Sequence, residues 1–252
     1  MPMVLVAEAS VVVLAFFSAL VGSMLGVGGG FIFVPVSVGI MGFRPFAAVP
    51  ASLSLILSNA FSATLTRIMK KAFNLRPNLW LVLPASGLSI LGALTSARLE
   101  APVFKIIFGT FLISSSLLLL RTRGIQEQDY PGGFVGRKLA IVVAAGFISS
   151  LLGVGGGLLM VPGFILLSKM SSREAVAVSQ FLTGFTSATG LATYLIQGSF
   201  FPSLYVSAFA GGLLGGFVGS SIQIGLSEKQ LKMAIASGFS AIGLWMLLSA
   251  LL

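Results

Sequence analysis

Apolar residues fill this chain in long stretches, and charges fall only between them. Uncharged runs cover 9–43, 45–66, 77–97, 106–120, 139–168, 175–227 and 233–252. A helix needs about 20 consecutive apolar residues to cross the hydrocarbon of a bilayer, so most of these runs have the length of a span. The run 175–227 holds two, with Gln197, Gly198, Ser199 and Pro202 supplying the turn between them. The run 106–120 reaches spanning length when its helix starts near Pro102, a residue tolerated in a first turn, and Lys105 snorkels to the interface. Six simple spans follow, near 46–66, 78–97, 102–120, 174–196, 201–224 and 231–251.

The two remaining stretches, 4–42 and 139–168, are interrupted by glycine in the same way. Leu25-Gly26-Val27-Gly28-Gly29-Gly30, three apolar residues and Val34-Pro35 recur as Leu152-Gly153-Val154-Gly155-Gly156-Gly157, three apolar residues and Val161-Pro162. The offset is 127 residues, half the chain. It also pairs Ser23 with Ser150, Ser52 with Ser179, Leu55 with Leu182, Gly92 with Gly219 and Lys105 with Lys232 without a gap. An eleven-residue motif with eight identities marks an internal duplication, each half being one broken segment plus three spans. The first repeat covers 1–120 and the second 139–252, joined by a linker at 121–138.

Composition narrows the class. Of 252 residues, 56% are hydrophobic and 8% charged, against roughly 25% charged in a soluble domain. So few charges do not cover a water-exposed surface, and the solvent is lipid; soluble enzymes, nucleic-acid binders and disordered proteins are excluded. The net charge of +9 describes membrane orientation, not a nucleic-acid patch. If the segment 139–168 dips into the membrane and returns, twelve of the fifteen Lys and Arg, Arg67 among them, collect on one side. A single crossing would split them eight to seven, with no bias. The positive-inside rule favours twelve to three. The predicted fold is therefore an all-α integral membrane protein of two inverted-topology repeats, with the linker 121–138 in the cytoplasm. A variant in which 4–25 spans fully stays open. The first charge is Glu8 and no basic n-region precedes it, so the chain reads as mature protein.

No cysteine or histidine is present and Asp129 is the one aspartate. That removes disulfides, Cys/His zinc sites, haem ligation by His, Ser/His/Asp triads and aspartyl dyads, leaving no catalytic, metal or cofactor set. The candidate chemistry is backbone. Irregular chain at membrane depth persists only where protein buries it or a polar cavity meets it. Gly28, Gly29 and Gly30, and Gly155, Gly156 and Gly157, are such chain. Short helices near 31–42 and 158–167 point their positive ends back at the breaks, a geometry suited to a small anion. Tight helix packing is the plainer use of such glycines, as at Gly211, Gly215 and Gly219. A dinucleotide loop does not fit, since position 31 is Phe and no strand pattern precedes it.

The helix after each break is polar for a span. Ser52 and Asn59, two turns apart on one face, align with Ser179 and Thr186, and Gln180 and Thr183 lie close by. These side chains offer neutral donors to an anion; each also has a local use, bonding its own helix or a neighbour. No charge falls near the centre of a predicted span, so no coupling residue is apparent and movement is expected to be facilitated or driven by the membrane potential.

The duplicated glycine motif, from Gly26 to Pro35 and from Gly153 to Pro162, resembles that of the sulfite exporter TauE/SafE family, also called the toluene sulfonate uptake permease family. The resemblance extends over nearly the whole chain through the two-halved hydrophobic plan. It implies a multi-pass protein of the bacterial inner membrane that moves a small sulfur-containing anion, such as sulfite or a sulfonate, often outward. The expected partners are that anion and the lipid bilayer, with homo-oligomerisation open. Two other readings are an anion channel using the breaks as a filter, and a membrane-embedded enzyme with a Ser/Lys arrangement.

Overall fold

A computed structural model describes residues 2–70, 76–96, 101–120, 135–225 and 227–251. They form ten α-helices: α1 (Pro2–Leu25), α2 (Gly30–Gly39), α3 (Pro45–Met69), α4 (Val82–Ser96), α5 (Ala101–Leu120), α6 (Val135–Leu152), α7 (Gly157–Leu167), α8 (Ser172–Ile196), α9 (Pro202–Gly225) and α10 (Glu228–Leu251). Among the described residues there is no strand. Five stretches among the described residues are long and apolar enough to cross a membrane: Glu8–Leu25, Pro45–Met69, Pro77–Ser96, Val135–Leu152 and Pro202–Gln223. This is an all-α membrane protein.

Within the predicted span at 78–97, a 3-10 helix, Arg76–Leu81, runs into α4, and residue 97 lies outside the described residues. Residues 121–134 of the expected linker lie outside the described residues, and α6 takes up the rest from Val135, with Arg137 and Lys138 in its first turn.

The glycines decide where α1 and α6 stop. Gly26 (φ 77°) and Gly28 (φ 89°) adopt left-handed conformations that side chains disfavour, and the Gly22 carbonyl accepts from both Val27 N and Gly28 N to close α1. Gly153 (φ 67°) and Gly155 (φ 75°) repeat this after α6. The chain then folds back. Gly29 rests on Ser18 and Ala19 of α1, and Phe43, beyond the end of α2, lines one cavity with Glu8 and Val11 near the start of α1. In the second half Gly156 lies against Ala145, Gly163 against Ile141, and Arg137 Nη1 reaches the Leu167 carbonyl at 3.4 Å. So α7 returns along α6. Both short helices run through their prolines, Pro35 and Pro162.

Burying apolar surface gives little drive in lipid, so close approach of small residues holds helices together. The helix α9 is wedged between α1 and α3. Its Gly211, Gly215 and Gly219 press on the backbone of α1 at Val12, Phe16 and Leu20, while Gly212 and Gly216 press on α3 at Leu55 and Asn59. The pair α4 and α6 matches α9 and α1: Gly92 presses on the Phe147 carbonyl as Gly219 presses on that of Leu20, both residues shifted by 127. At the centre α3 and α8 pass antiparallel, Leu53 beside Gly190 and Ala60 beside Gly184. Helices α5 and α10 are also antiparallel, with Gly109 against Leu247, Gly243 against Ile113, and Ser116 Oγ 2.7 Å from Ser240 Oγ. The largest buried cluster gathers around these breaks and includes Phe31, Val49, Leu53, Phe164, Val176 and Leu182.

Candidate functional site

The two breaks meet in the interior, and their contacts come in pairs. Ser52 Oγ donates to the Gly153 carbonyl at 2.5 Å, and Ser179 Oγ donates to the Gly26 carbonyl at 3.1 Å. The Gly153 carbonyl oxygen also lies against Gly30 at the start of α2, as that of Gly26 lies against Gly157 at the start of α7. Val49 packs on Gly153 and Val176 on Gly26. Ile56 touches both Gly28 and Gly155, and Thr183, its counterpart in the second half, also packs on Gly155. The start of each short helix therefore packs against a carbonyl oxygen of the opposite break. The breaks touch, and the two cavities described lie elsewhere, one on the apolar groove of Phe61, Phe181 and Phe185, the other beside Glu8 and Phe200.

Of the twelve residues singled out by sequence, ten line this junction or its hydrogen-bond extensions. Gly29 and Gly156 do not: they face their own hairpins, towards Ser18 and Ala145. Ser52, Ser179 and Asn59 direct their donors to break carbonyls in this structure, Asn59 Nδ2 bonding Gly28 O at 2.7 Å. Thr183 Oγ1 is buried without a hydrogen-bond partner. Thr186 joins a hydroxyl network, its carbonyl accepting from Ser89 Oγ at 2.6 Å, and Ser89 Oγ lies 2.6 Å from Ser150 Oγ.

The charge pattern places Arg67 at the end of a span; the structure places it there, near the end of α3, and shows it buried among neighbouring helices, 2% exposed. Its Nη1 donates to Gln180 Oε1 at 2.7 Å and its Nη2 to Gln223 Oε1 at 3.0 Å, with Ser23 O at 3.5 Å. Gln180 Nε2 in turn donates to Asn59 Oδ1 at 3.3 Å and to Ser23 Oγ at 3.2 Å. A hydrogen-bonded chain thus runs from the guanidinium through Gln180 and Asn59 to the first break at Gly28. Arg67 and Gln223 escape a reading by charge runs, which counts position and not facing. The signal was periodicity: Arg67 follows Asn59 by eight residues, two further turns on the same face.

The chain matches, over residues 11–246, the family described as Sulfite exporter TauE/SafE. It belongs to the TauE/SafE family. This TauE/SafE protein is 30% identical over 249 residues to the probable membrane transporter protein YunE of Bacillus subtilis, covering 88% of this chain and 90% of that one. It is 25% identical to the probable membrane transporter protein MJ0441 of Methanocaldococcus jannaschii, over 94% of each chain. A probable membrane transporter protein of Haemophilus influenzae is 24% identical over 82% of this chain and 81% of its own. No solved structure matches. Fold and family together make this a multi-pass membrane transporter of the TauE/SafE family.

Proposed function

We propose that this TauE/SafE protein exports a small sulfur-containing anion, sulfite or a sulfonate or a related organosulfur compound, across the bacterial inner membrane by alternating access. The two halves are inverted repeats, and the anion is held where the glycine breaks meet. The observation that carries this reading is the paired contact of each helix start with the opposite break's carbonyl. Rocking one half against the other parts the breaks, and an anion then takes the place of those carbonyl oxygens at the starts of α2 and α7. The antiparallel passage of α3 and α8, and of α5 and α10, which are equivalents at the offset of 127, supports inverted halves: a twofold relating them lies across the helix axes, in the membrane plane. The return of α7 along α6 supports re-entrant broken segments.

The test is flux of labelled sulfite, methanesulfonate and thiosulfate into liposomes holding the purified protein. Saturable flux at carrier rates of at least one of them is expected, without single-channel currents. Currents far above carrier turnover would favour a channel with the breaks as its filter, and absence of flux for every sulfur anion would refute the substrate class.

A further inference from the structure

We infer that Arg67, framed by Gln180 and Gln223, is the capture site for the transported anion, entered from the end of the molecule where α3 finishes and α8 begins. The inference rests on the reading of the protein as an anion exporter and assigns that reading its one buried cation among the described residues.

Burying a charge is costly unless it is paired. The hydrogen-bond partners of the Arg67 guanidinium, two glutamine oxygens and the Ser23 carbonyl, are all neutral. They orient the group and leave its positive charge standing. Its Nε is buried and has no hydrogen-bond partner. The Nε–H left on its edge is one donor for an oxygen of an oxyanion such as a sulfite or sulfonate group, beside a charge that its neutral partners leave standing. Gln180 and Gln223 fix the plane of the guanidinium, and Gln180 carries the connection onward to Asn59 and the Gly28 carbonyl.

The site is one-sided. The offset of 127 carries Arg67 to Tyr194, Ser23 to Ser150 and Gln223 to Ser96, and the structure repeats the pattern: Tyr194 Oη donates to the Ser150 carbonyl at 3.1 Å. Exchange of the two halves therefore brings a neutral phenol to the place of the cation. An anion is attracted by the buried guanidinium on the Arg67 side and meets a neutral phenol at the equivalent place on the other. Because α3 and α8 are antiparallel, the end of α3 shares its side with Lys169 and Arg173 at the start of α8, the cytoplasmic side by the positive-inside rule. Capture there and release past Tyr194 is export.

The experiment measures thermal stabilisation of the purified full-length protein by the sodium salts of sulfite, methanesulfonate, thiosulfate and chloride at matched ionic strength. It compares wild type, Arg67→Met and Arg67→Lys. Wild type is expected to be stabilised by a sulfur oxyanion with a saturating concentration dependence. Arg67→Lys keeps the charge without the planar guanidinium and its Nε–H, and its half-saturation should weaken about tenfold; Arg67→Met should show no anion-dependent shift, whatever its starting Tm. Wild-type half-saturation in Arg67→Met overturns the inference, as does the absence of stabilisation by any anion in wild type. If Arg67→Met fails to fold, an unchanged half-saturation in Arg67→Lys overturns it equally. Stabilisation of wild type by chloride and by no sulfur oxyanion, lost in Arg67→Met, would uphold the site and refute only the sulfur-anion reading.

Discussion

Tyr194 stands in the second half of the chain where Arg67 stands in the first, each reaching the backbone carbonyl of an equivalent serine, Ser150 and Ser23. The repeat is a scaffold in which one position has been made a cation in one copy only. Tyr194→Phe removes the hydroxyl that bonds the Ser150 carbonyl and should cost about 1 kcal/mol, read as a small fall in Tm. Tyr194→Arg gives both sides a cation; sulfite should then be held more tightly and released more slowly, so that flux falls while the half-saturation concentration drops.

Asn59 links the break to Gln180 and so to Arg67. Asn59→Ala leaves the buried Gly28 carbonyl and the Gln180 amide short of partners, at a cost of roughly 1–3 kcal/mol. Ser62→Ala is the comparison, since Ser62 Oγ donates only within its own helix, to the Asn59 carbonyl. Thermal denaturation in detergent should place Asn59→Ala well below Ser62→Ala.

Helix glycines should respond with opposite signs. A Cβ at Gly215 meets the backbone of Phe16 and Leu20 in α1, so Gly215→Ala should destabilise by about 1–3 kcal/mol. Gly87, inside α4, has nothing within 4 Å of such a Cβ, and Gly87→Ala should stabilise by roughly 0.5–1 kcal/mol through helix propensity. Melting curves of the two variants check both signs.

Neighbouring glycines of one break should differ as well. Gly156 has right-handed φ (−59°) and its nearest obstacle is the mobile end of Met160, whereas a Cβ at Gly157 meets the Val27 Cα at 2.6 Å. Gly157→Ala should lose about 1–3 kcal/mol and Gly156→Ala much less, measured as Tm. Equal losses would contradict the packing described for the second break.

Much of the architecture was legible in the sequence because lipid imposes a length on every span and the duplication repeats a long glycine motif. The helix starts at Pro45, Ala101, Ser172 and Pro202 fall within two residues of the predicted span starts at 46, 102, 174 and 201. The site was only partly legible. Glycine spacing picks out Gly28, Gly30, Gly155 and Gly157, which the structure brings together, whereas Gly29 and Gly156 face their own hairpins, a direction that sequence does not carry. Arg67 was hidden for a related reason: a charge at the end of an apolar run looks interfacial until the neighbouring helix ends, with Ser23 and Gln223, are seen to close over it.

The central claim, that transport requires the breaks to part, is tested most directly by a reversible lock. The chain has no cysteine, and Ser89 Oγ of α4 lies 2.6 Å from Ser150 Oγ, three residues before Gly153. In liposomes, Ser89→Cys with Ser150→Cys should lose sulfur-anion flux on oxidation and regain it on reduction, while either single variant is insensitive to both. Undiminished flux through the fully cross-linked protein would contradict the account.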